Sequence, residues 1–177
     1  MAQLHMIWPE NLLNSPPEVR LEADYELRLC GPAEEAAWPA LMARAGFAGW
    51  DGERLEAFRA RILPEGWFVA VHRASGQMVA TAMAVDGPGP LHPEGGELSW
   101  VAGDPDHAGH GLGRAVSSAA VARLLAAGYR RVYLSTDDWR LPAIKIYLSM
   151  GFVPLLYAED MAERWEKVYA ALGLPLG

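Results

Sequence analysis

The sequence contains a single cysteine, Cys30, among its 177 residues. One cysteine cannot form an internal disulfide, and proteins with free thiols are typical of reducing compartments. The N-terminus also lacks the basic start and apolar stretch of a secretion signal. Together these features predict a cytoplasmic protein, in which Cys30 is a small buried residue at the end of a strand.

Long apolar runs and basic clusters are lacking as well. No stretch approaches the roughly 20 apolar residues of a membrane-spanning helix, so we expect no membrane insertion. The arginines are scattered and the formal net charge is −7, which argues against a nucleic-acid partner and weakly favours a cationic substrate. His107 and His110 lie three residues apart, but no set of cysteines or carboxylates completes a metal site, so no metal is expected.

The apolar pattern predicts one α/β domain over residues 1–177, a mixed sheet with helices on its faces. Residues 1–24 are expected to form an irregular N-terminal extension, in which 4–8 is a candidate edge strand. Further strands are predicted over 25–30, 66–72, 78–85, 97–103, 130–136 and 152–157. Helices are predicted over 33–46, from an N-cap at Asp51, and over 112–128, 141–150 and 160–172.

Three details of this prediction concern two of the helices and a loop. Pro39 is unfavourable inside the helix over 33–46 and predicts a kink or a later helix start. The helix from Asp51 is expected to place Leu55, Phe58 and Ile62 on one face. Residues 86–96 are rich in glycine and proline, so they are predicted to form a long loop outside the sheet.

Residues 107–116, HAGHGLGRAV, contain three glycines between a predicted strand and the most strongly predicted helix. A strand, a glycine turn and a helix N-terminus together direct free backbone N–H groups at one point, where phosphate is the natural ligand. Arg114 and Ala115 exclude the Gly-Lys-Ser/Thr ending of a nucleoside-triphosphate loop. Arg114 and Val116 also stand where a dinucleotide fingerprint requires glycine. The alternative is a tight turn without a ligand.

The segments ELSWVAGDPDHAGHGLGRAVSSAAVARLLAAGYRRVYLSTDD (97–138) and LPAIKIYLSMGFVP (141–154) resemble the GCN5-related N-acetyltransferase (GNAT) superfamily. Gly111 and Gly113 match that family's Arg/Gln-x-x-Gly-x-Gly/Ala motif. Its second motif, Ala-Ile-x-x-Tyr-x-x-x-Gly-Phe, is matched by Ala143, Ile144, Tyr147, Gly151 and Phe152. The sequence departs from the family at Ala108, which replaces Arg or Gln, and at Arg140, which replaces a frequent Asn.

The resemblance implies a mainly antiparallel, twisted sheet of six to seven strands and acetyl-CoA, or another acyl-CoA, as co-substrate. The pyrophosphate would bind the turn formed by Ala108, Gly109, His110, Gly111, Leu112, Gly113 and Arg114. The pantetheine arm would pair with the backbone of Val101, Ala102 and Gly103, where strands 97–103 and 130–136 diverge. Arg140 would contact the co-substrate, and the side chains of His110 and Arg114 either approach the phosphates or remain solvated.

The chemistry that the resemblance implies is acyl transfer to an amine. Tyr147 occupies the position of the general acid that protonates the departing thiolate, although it also falls on a face that packs with Ile144. Glu97 is the candidate general base, with His92 or a water molecule as alternatives. A backbone N–H near Val101 would stabilise the oxyanion if the strand bulges there.

The sequence thus predicts an N-acetyltransferase that transfers an acetyl group from acetyl-CoA to a primary amine by direct attack in a ternary complex. The acceptor is a small molecule or a peptide, and Trp50 and Trp139 are candidates for the walls of its pocket. A homodimer is a further expectation. The alternatives are a non-catalytic acyl-CoA-binding module and an interaction protein that uses the fold as a scaffold.

Overall fold

Seven strands form one sheet in the order β2-β3-β4-β5-β6-β1-β7 in a computed structural model that describes residues 2–47, 49 and 52–175. The strands are β1 Leu4–Ile7, β2 Tyr25–Leu29, β3 Ile62–His72, β4 Gln77–Asp86, β5 Gly95–Gly103, β6 Arg131–Thr136 and β7 Val153–Leu155. Every neighbouring pair is antiparallel except β5 and β6, which are parallel. The predicted mixed, mainly antiparallel sheet is therefore confirmed.

Within the described ranges, five α-helices cover the two faces of this sheet. They are α1 Pro32–Arg44, α2 Gly52–Arg59, α3 Leu112–Ala126, α4 Leu141–Met150 and α5 Met161–Leu172. On one face, Val116, Ala120 and Leu124 of α3 are fully buried in the larger core. On the other face, Trp38 and Leu41 of α1 are fully buried in a second, smaller core. Because helices cover both faces of the sheet, a ligand-binding site is expected where two neighbouring strands, β5 and β6, stop pairing.

The N-terminal strand corrects the prediction of an irregular extension with an edge strand. β1 lies between β6 and β7, with Leu4 opposite Thr136 and Ile7 opposite both Tyr133 and Val153. Leu4 and Met6 are fully buried because both neighbours and the core side are occupied. Local residue pattern cannot reveal this position, since the partner strands lie more than a hundred residues away.

The second predicted helix is shorter than the apolar spacing suggested. α2 ends at Arg59, and Ile62 is the first residue of β3 rather than a member of the helix face. The expected N-cap Asp51 and the pocket candidate Trp50 lie outside the described residues. α1 runs through Pro39 without interruption, so the predicted late start is wrong.

The predicted loop 86–96 also contains the start of a strand. β5 begins at Gly95, and both Gly95 and Gly96 pair with β6. A Cβ atom on Gly95 would stand 2.6 Å from a ring carbon of Tyr133, and one on Gly96 would stand 2.6 Å from the ring of Tyr129. These glycines therefore admit two tyrosine rings against the strand, rather than breaking it.

Smaller differences concern the ends of the chain elements and the cysteine. β7 is limited to Val153–Leu155, shorter than the predicted 152–157. Cys30 follows β2 as expected but is only partly buried, and burial together with Glu34 and Glu35 raises the pKa of its thiol to about 12. No helix among the described residues is long and apolar enough to span a membrane.

Candidate active site

The parallel strands β5 and β6 diverge, as the resemblance implied. They pair only from Gly95 to Glu97 on β5, opposite 131–133 on β6. Beyond that point β5 bulges: the register against β4 shifts between Ser99 and Ala102, and Trp100 has a φ of +50°. An extra residue in one strand bends it and increases its twist. The bulge expected near Val101 is therefore present, and it opens a gap in the sheet.

A cleft of about 290 Å³ occupies this gap. Its sheet side is formed by Glu97, Ser99, Trp100, Val101 and Ser135, and its far side by Asp137, Arg140 and Tyr147. Phe47, Phe58 and Arg61, from the segment between α1 and β3, form the remaining wall with Gln3. The two residues proposed for proton transfer, Glu97 and Tyr147, thus face the same cleft, 50 residues apart in sequence.

The surroundings of Glu97 shift the pKa of its carboxylate. Its side chain is 14% exposed; Oε2 accepts a hydrogen bond from Arg61 Nη2 at 3.2 Å and Oε1 accepts one from Ser135 Oγ at 3.4 Å. Burial raises the pKa of Glu97, and Arg61 and the hydroxyl donors oppose that rise only in part. A raised pKa makes the ionised carboxylate a better proton acceptor near neutral pH.

Tyr147 lies on α4, where it is buried and lines the cleft. Burial raises the pKa of this phenol, so it stays protonated at neutral pH. Its hydroxyl donates no hydrogen bond to any described residue, whereas the ring packs beside Phe152 with centroids 6.2 Å apart. Packing and proton donation are compatible, because the ring contact with Phe152 does not occupy the hydroxyl.

His92 does not line the cleft. It is 2% exposed and stacks on Tyr133 with ring centroids 3.7 Å apart. Arg131 Nε donates to its Nδ1 at 3.1 Å, and its Nε2 lies 3.0 Å from His5 Nδ1. Burial, with Arg131 and His5, lowers the pKa of His92 to about 4. The structure thus separates this candidate base from Glu97 and Tyr147.

The glycine turn, residues 108–114, presents unpaired backbone donors at the start of α3. The first N–H of this helix to bond back is that of Ala115, to Gly111 O at 3.0 Å. Within the described part of the chain, the six N–H groups of 109–114 donate to no protein acceptor. Gly109 and Gly111 have φ values of +90° and +69°, which other residues rarely adopt. The turn is therefore shaped to present amides to an anion.

The polar side chains of this turn are engaged with the protein. His110 Nδ1 lies 2.8 Å from Glu22 Oε2, and Arg114 Nη1 donates to Ser149 Oγ on α4 at 2.6 Å. Ala108 N donates to Pro105 O at 3.2 Å and ends the short 3-10 turn before it. The anion-binding capacity of the turn thus comes from the backbone, in line with the absence of Arg or Gln at 108.

Arg140 lines the cleft at the N-terminus of α4. Its guanidinium lies over the rings of Phe47 and Trp139, and its Nε donates to Asp137 Oδ2 at 3.2 Å. Trp139, the other predicted wall residue, is 70% exposed beside the cleft.

Sequence reasoning missed Arg61, Phe47 and Gln3. Arg61 Nε also donates to Asp86 O at 3.1 Å, so the guanidinium is held between two strands beside Glu97. None of the three belongs to a motif, and each reaches the cleft through long-range pairing. The only available signal was a negative one: a buried glutamate requires a cationic or hydrogen-bonding partner.

Comparison with known proteins gives the family. The family model described as "Acetyltransferase (GNAT) family" matches residues 26–152. A mycothiol acetyltransferase from Thermobispora bispora is 34% identical over 169 residues, covering 86% of this chain and 55% of that protein. One from Frankia casuarinae is 30% identical over 171 residues, covering 85% and 47%. The chain thus spans about half the length of these curated relatives.

Solved structures share the fold at low identity. A GCN5-related N-acetyltransferase from Sphaerobacter thermophilus has a TM-score of 0.67 at 22% identity, over 87% of this chain and 49% of that one. A Salmonella typhimurium protein solved with its cofactor acetyl-CoA has a TM-score of 0.62 at 22% identity, over 73% and 80%. With the family model covering most of the chain and the diverging strands, glycine turn and α4 in place, the chain belongs to the GNAT acetyltransferase family.

Proposed function

We propose that the protein is an N-acetyltransferase that transfers an acetyl group from acetyl-CoA to a primary amine within a ternary complex. The observation that carries the proposal is the cleft itself. It joins a buried carboxylate of raised pKa, Glu97, and a protonated phenol, Tyr147, at the point where β5 and β6 separate. Amine acylation requires one group that accepts a proton and another that donates one.

The co-substrate fits the free donors of the chain. The amides of 109–114 match a pyrophosphate, and the unpaired edge of β5 at Val101, Ala102 and Gly103 matches an extended pantetheine arm. When bound, acetyl-CoA supplies the activated acetyl group. A tight turn without a ligand remains the alternative that a binding measurement must exclude.

The roles of the cleft residues follow from their protonation. Glu97 accepts the proton of the incoming ammonium group, directly or through water, and Tyr147 donates its proton to the departing thiolate. The amide at the Val101 bulge donates to the oxygen that becomes negative. Direct attack is supported because Cys30 lies outside the cleft with a thiol pKa of about 12. No histidine among the described residues lines the cleft to activate Ser99 or Ser135.

The acceptor is proposed to be a small-molecule amine. Relatives named mycothiol acetyltransferases support a small molecule over a peptide, and the cleft of about 290 Å³ is closed on one side by Phe47 and Phe58. A cytoplasmic location stays a prediction from the single cysteine.

Titration calorimetry with acetyl-CoA tests the proposal, with desulfo-CoA and ATP as controls. We expect micromolar binding of acetyl-CoA and not of ATP, followed by release of free thiol when a panel of primary amines is added. Binding without thiol release on any amine would indicate the non-catalytic acyl-CoA-binding module. Absence of acyl-CoA binding would leave the scaffold alternative.

A further inference from the structure

The guanidinium of Arg140 lines the cleft and is held by three contacts. It lies 4.1 Å from the ring centroid of Phe47 and 4.2 Å from that of Trp139. Its Nε donates to Asp137 Oδ2, while Asp137 Oδ1 accepts from Gln3 Nε2 at 3.2 Å. Two aromatic contacts and one ion pair thus fix the plane of the group. The guanidinium therefore loses little conformational entropy when it binds a ligand in the cleft.

The remaining edge of this guanidinium donates to no residue that the structure describes. Among the described residues, neither Nη1 nor Nη2 of Arg140 has a hydrogen-bond acceptor, although the side chain lines the cleft. Both oxygens of Asp137 are already engaged by Gln3 and by Arg140 Nε. Two parallel N–H donors on a fixed plane match the paired oxygens of a carboxylate or a phosphate.

The position of Arg140 favours the acceptor over the co-substrate. Its contact with Phe47 spans from the α4 side of the cleft to the α1 side, and this second side also contributes Phe58 and Arg61. Arg61, the other cation of the cleft, is engaged by Glu97 and by Asp86 O. Among the described residues that line the cleft, Arg140 thus has both Nη groups without an acceptor, whereas Arg61 has only Nη1 in that state and is already committed to Glu97.

We propose that Arg140 determines acceptor specificity by binding an oxyanion, a carboxylate or a phosphate, that the acceptor amine carries. This inference rests on the proposed N-acetyltransferase function. It also replaces the expectation that Arg140 contacts the co-substrate. The chain's net charge of −7 gives no long-range attraction for an anion, so recognition depends on this local contact.

Matched amines test the proposal through initial rates with acetyl-CoA. One set is β-alanine, β-alaninamide, propylamine and 2-aminoethylphosphonate; a second is serine, serinamide and O-phosphoserine. We expect at least a tenfold higher kcat/KM for either the carboxylate or the phosphorus oxyanion member than for the neutral amide. Which of the two is preferred distinguishes the carboxylate from the phosphate source.

Variants assign that preference to Arg140. Arg140→Gln should bring charged and neutral amines to within about twofold by raising the KM of the charged acceptor, with the KM of acetyl-CoA unchanged. Arg140→Lys keeps the charge without the planar fork and should restore only part of the preference. Trp139→Leu frees one face of the guanidinium and should give a partial loss. Arg20→Gln, which removes an exposed arginine outside the cleft, should behave as the unmodified protein.

Three results would overturn the proposal. The first is equal rates on the acid and the amide, and the second is an Arg140→Gln variant that raises only the KM of acetyl-CoA. The third applies if acetyl-CoA binds but no amine is acetylated. The ¹⁵N-labelled protein loaded with CoA is then titrated with β-alanine and 2-aminoethylphosphonate, and absence of a shift at the Arg140 Nε–H signal refutes oxyanion binding. Failure of the proposed function is read separately: either acetyl-CoA does not bind, or it binds and no amine is acetylated, and in the second case the Arg140 Nε–H signal alone decides whether the oxyanion site exists.

Discussion

The carboxylate of Glu97 is buried and pairs with Arg61. Its pKa therefore depends on both features, and the pH dependence of activity reports on it. Burial raises the pKa of Glu97, whereas Arg61 lowers it. Glu97 accepts a proton only when ionised, so activity should fall as the pH decreases through this raised pKa. We expect the acidic limb of the kcat/KM profile to lie above the ordinary range of glutamate.

Removing the arginine should move that limb in a defined direction. Arg61→Gln takes away the positive charge that favours ionised Glu97, so the pKa should rise further and the limb should shift to higher pH. The measurement is the pH dependence of kcat/KM for both proteins. A limb that stays in place, or moves to lower pH, would show that Glu97 is not the titrating base.

Tyr147 gives a second residue-scale prediction. Tyr147→Phe removes the hydroxyl and keeps the packing of the ring against Phe152. Loss of a general acid typically costs 10²-fold to 10⁴-fold, so we expect kcat to fall by about 10² with little change in acetyl-CoA affinity. Stopped-flow thiol release and calorimetry measure the two effects. An unchanged kcat would mean that Tyr147 only packs in the core, as its helix face alone would allow.

Gly87 packs beside Glu97, so a larger residue at position 87 should displace the Glu97 side chain. A Cβ atom on Gly87 would lie 2.8 Å from Tyr133 Oη and 2.9 Å from Glu97 Cβ, whereas one on Gly89 would meet nothing within 4 Å. Gly87→Ala should therefore displace Glu97 and reduce kcat about tenfold or more. Gly89→Ala is the matched control and should keep full activity. Equal activities of the two variants would contradict the expected displacement.

At the scale of secondary-structure elements, the glycine turn can be tested by comparing one of its glycines with a glycine elsewhere. The comparison distinguishes the cost of backbone strain from a loss of ligand binding. Gly111 and Gly173 are both left-handed, with φ of +69° and +65°, and a Cβ on either would be in open space. Alanine at such a position costs roughly 1–2 kcal/mol. Gly111→Ala and Gly173→Ala should lower the free energy of unfolding similarly, but only Gly111→Ala should weaken acetyl-CoA binding. Denaturant unfolding and calorimetry test this pair, and equal affinities would remove the turn from the binding site.

The elements also show which features local sequence can predict. α4 was predicted over 141–150 and begins and ends at those residues, because Pro142 and Gly151 mark its ends within its own segment. The prediction for β5 starts two residues too late, at 97. Gly95 and Gly96 belong to the strand because they leave space for the rings of Tyr133 and Tyr129, which lie more than 30 residues further along the chain. The motif spacing pointed to Tyr147, and the resemblance pointed to Glu97 through its place on the strand before the glycine turn; both line the cleft. Neither could identify Arg61 or Phe47, which reach the cleft only through tertiary packing.

At the scale of the whole molecule, the expected homodimer remains a prediction. β7 is an edge strand of the sheet, and Val153 within it and Leu156 directly after it are 40% and 61% exposed. Because β7 is only three residues long and Pro154 has no N–H to donate, we expect these apolar side chains, rather than backbone pairing, to contact another copy. We expect sedimentation at twice the 19.3 kDa of one chain, and Leu156→Lys should return the protein to a monomer. A monomer at all concentrations would refute this interface, and Val19→Lys, at an exposed residue outside β7, serves as the control.

The placement of β1 has a consequence for synthesis on the ribosome. Tyr157 Oη donates to Gln3 O across 154 residues of chain, and β1 completes its pairing only with β6 and β7. During translation β1 leaves the exit tunnel before β6 and β7, so it must wait without these partners until both strands have been made. Leu4 and Met6 remain open to solvent or chaperones during that interval. Gln3 lines the cleft, so the cleft is completed among the last events of folding, by a segment that was translated well before its partner strands.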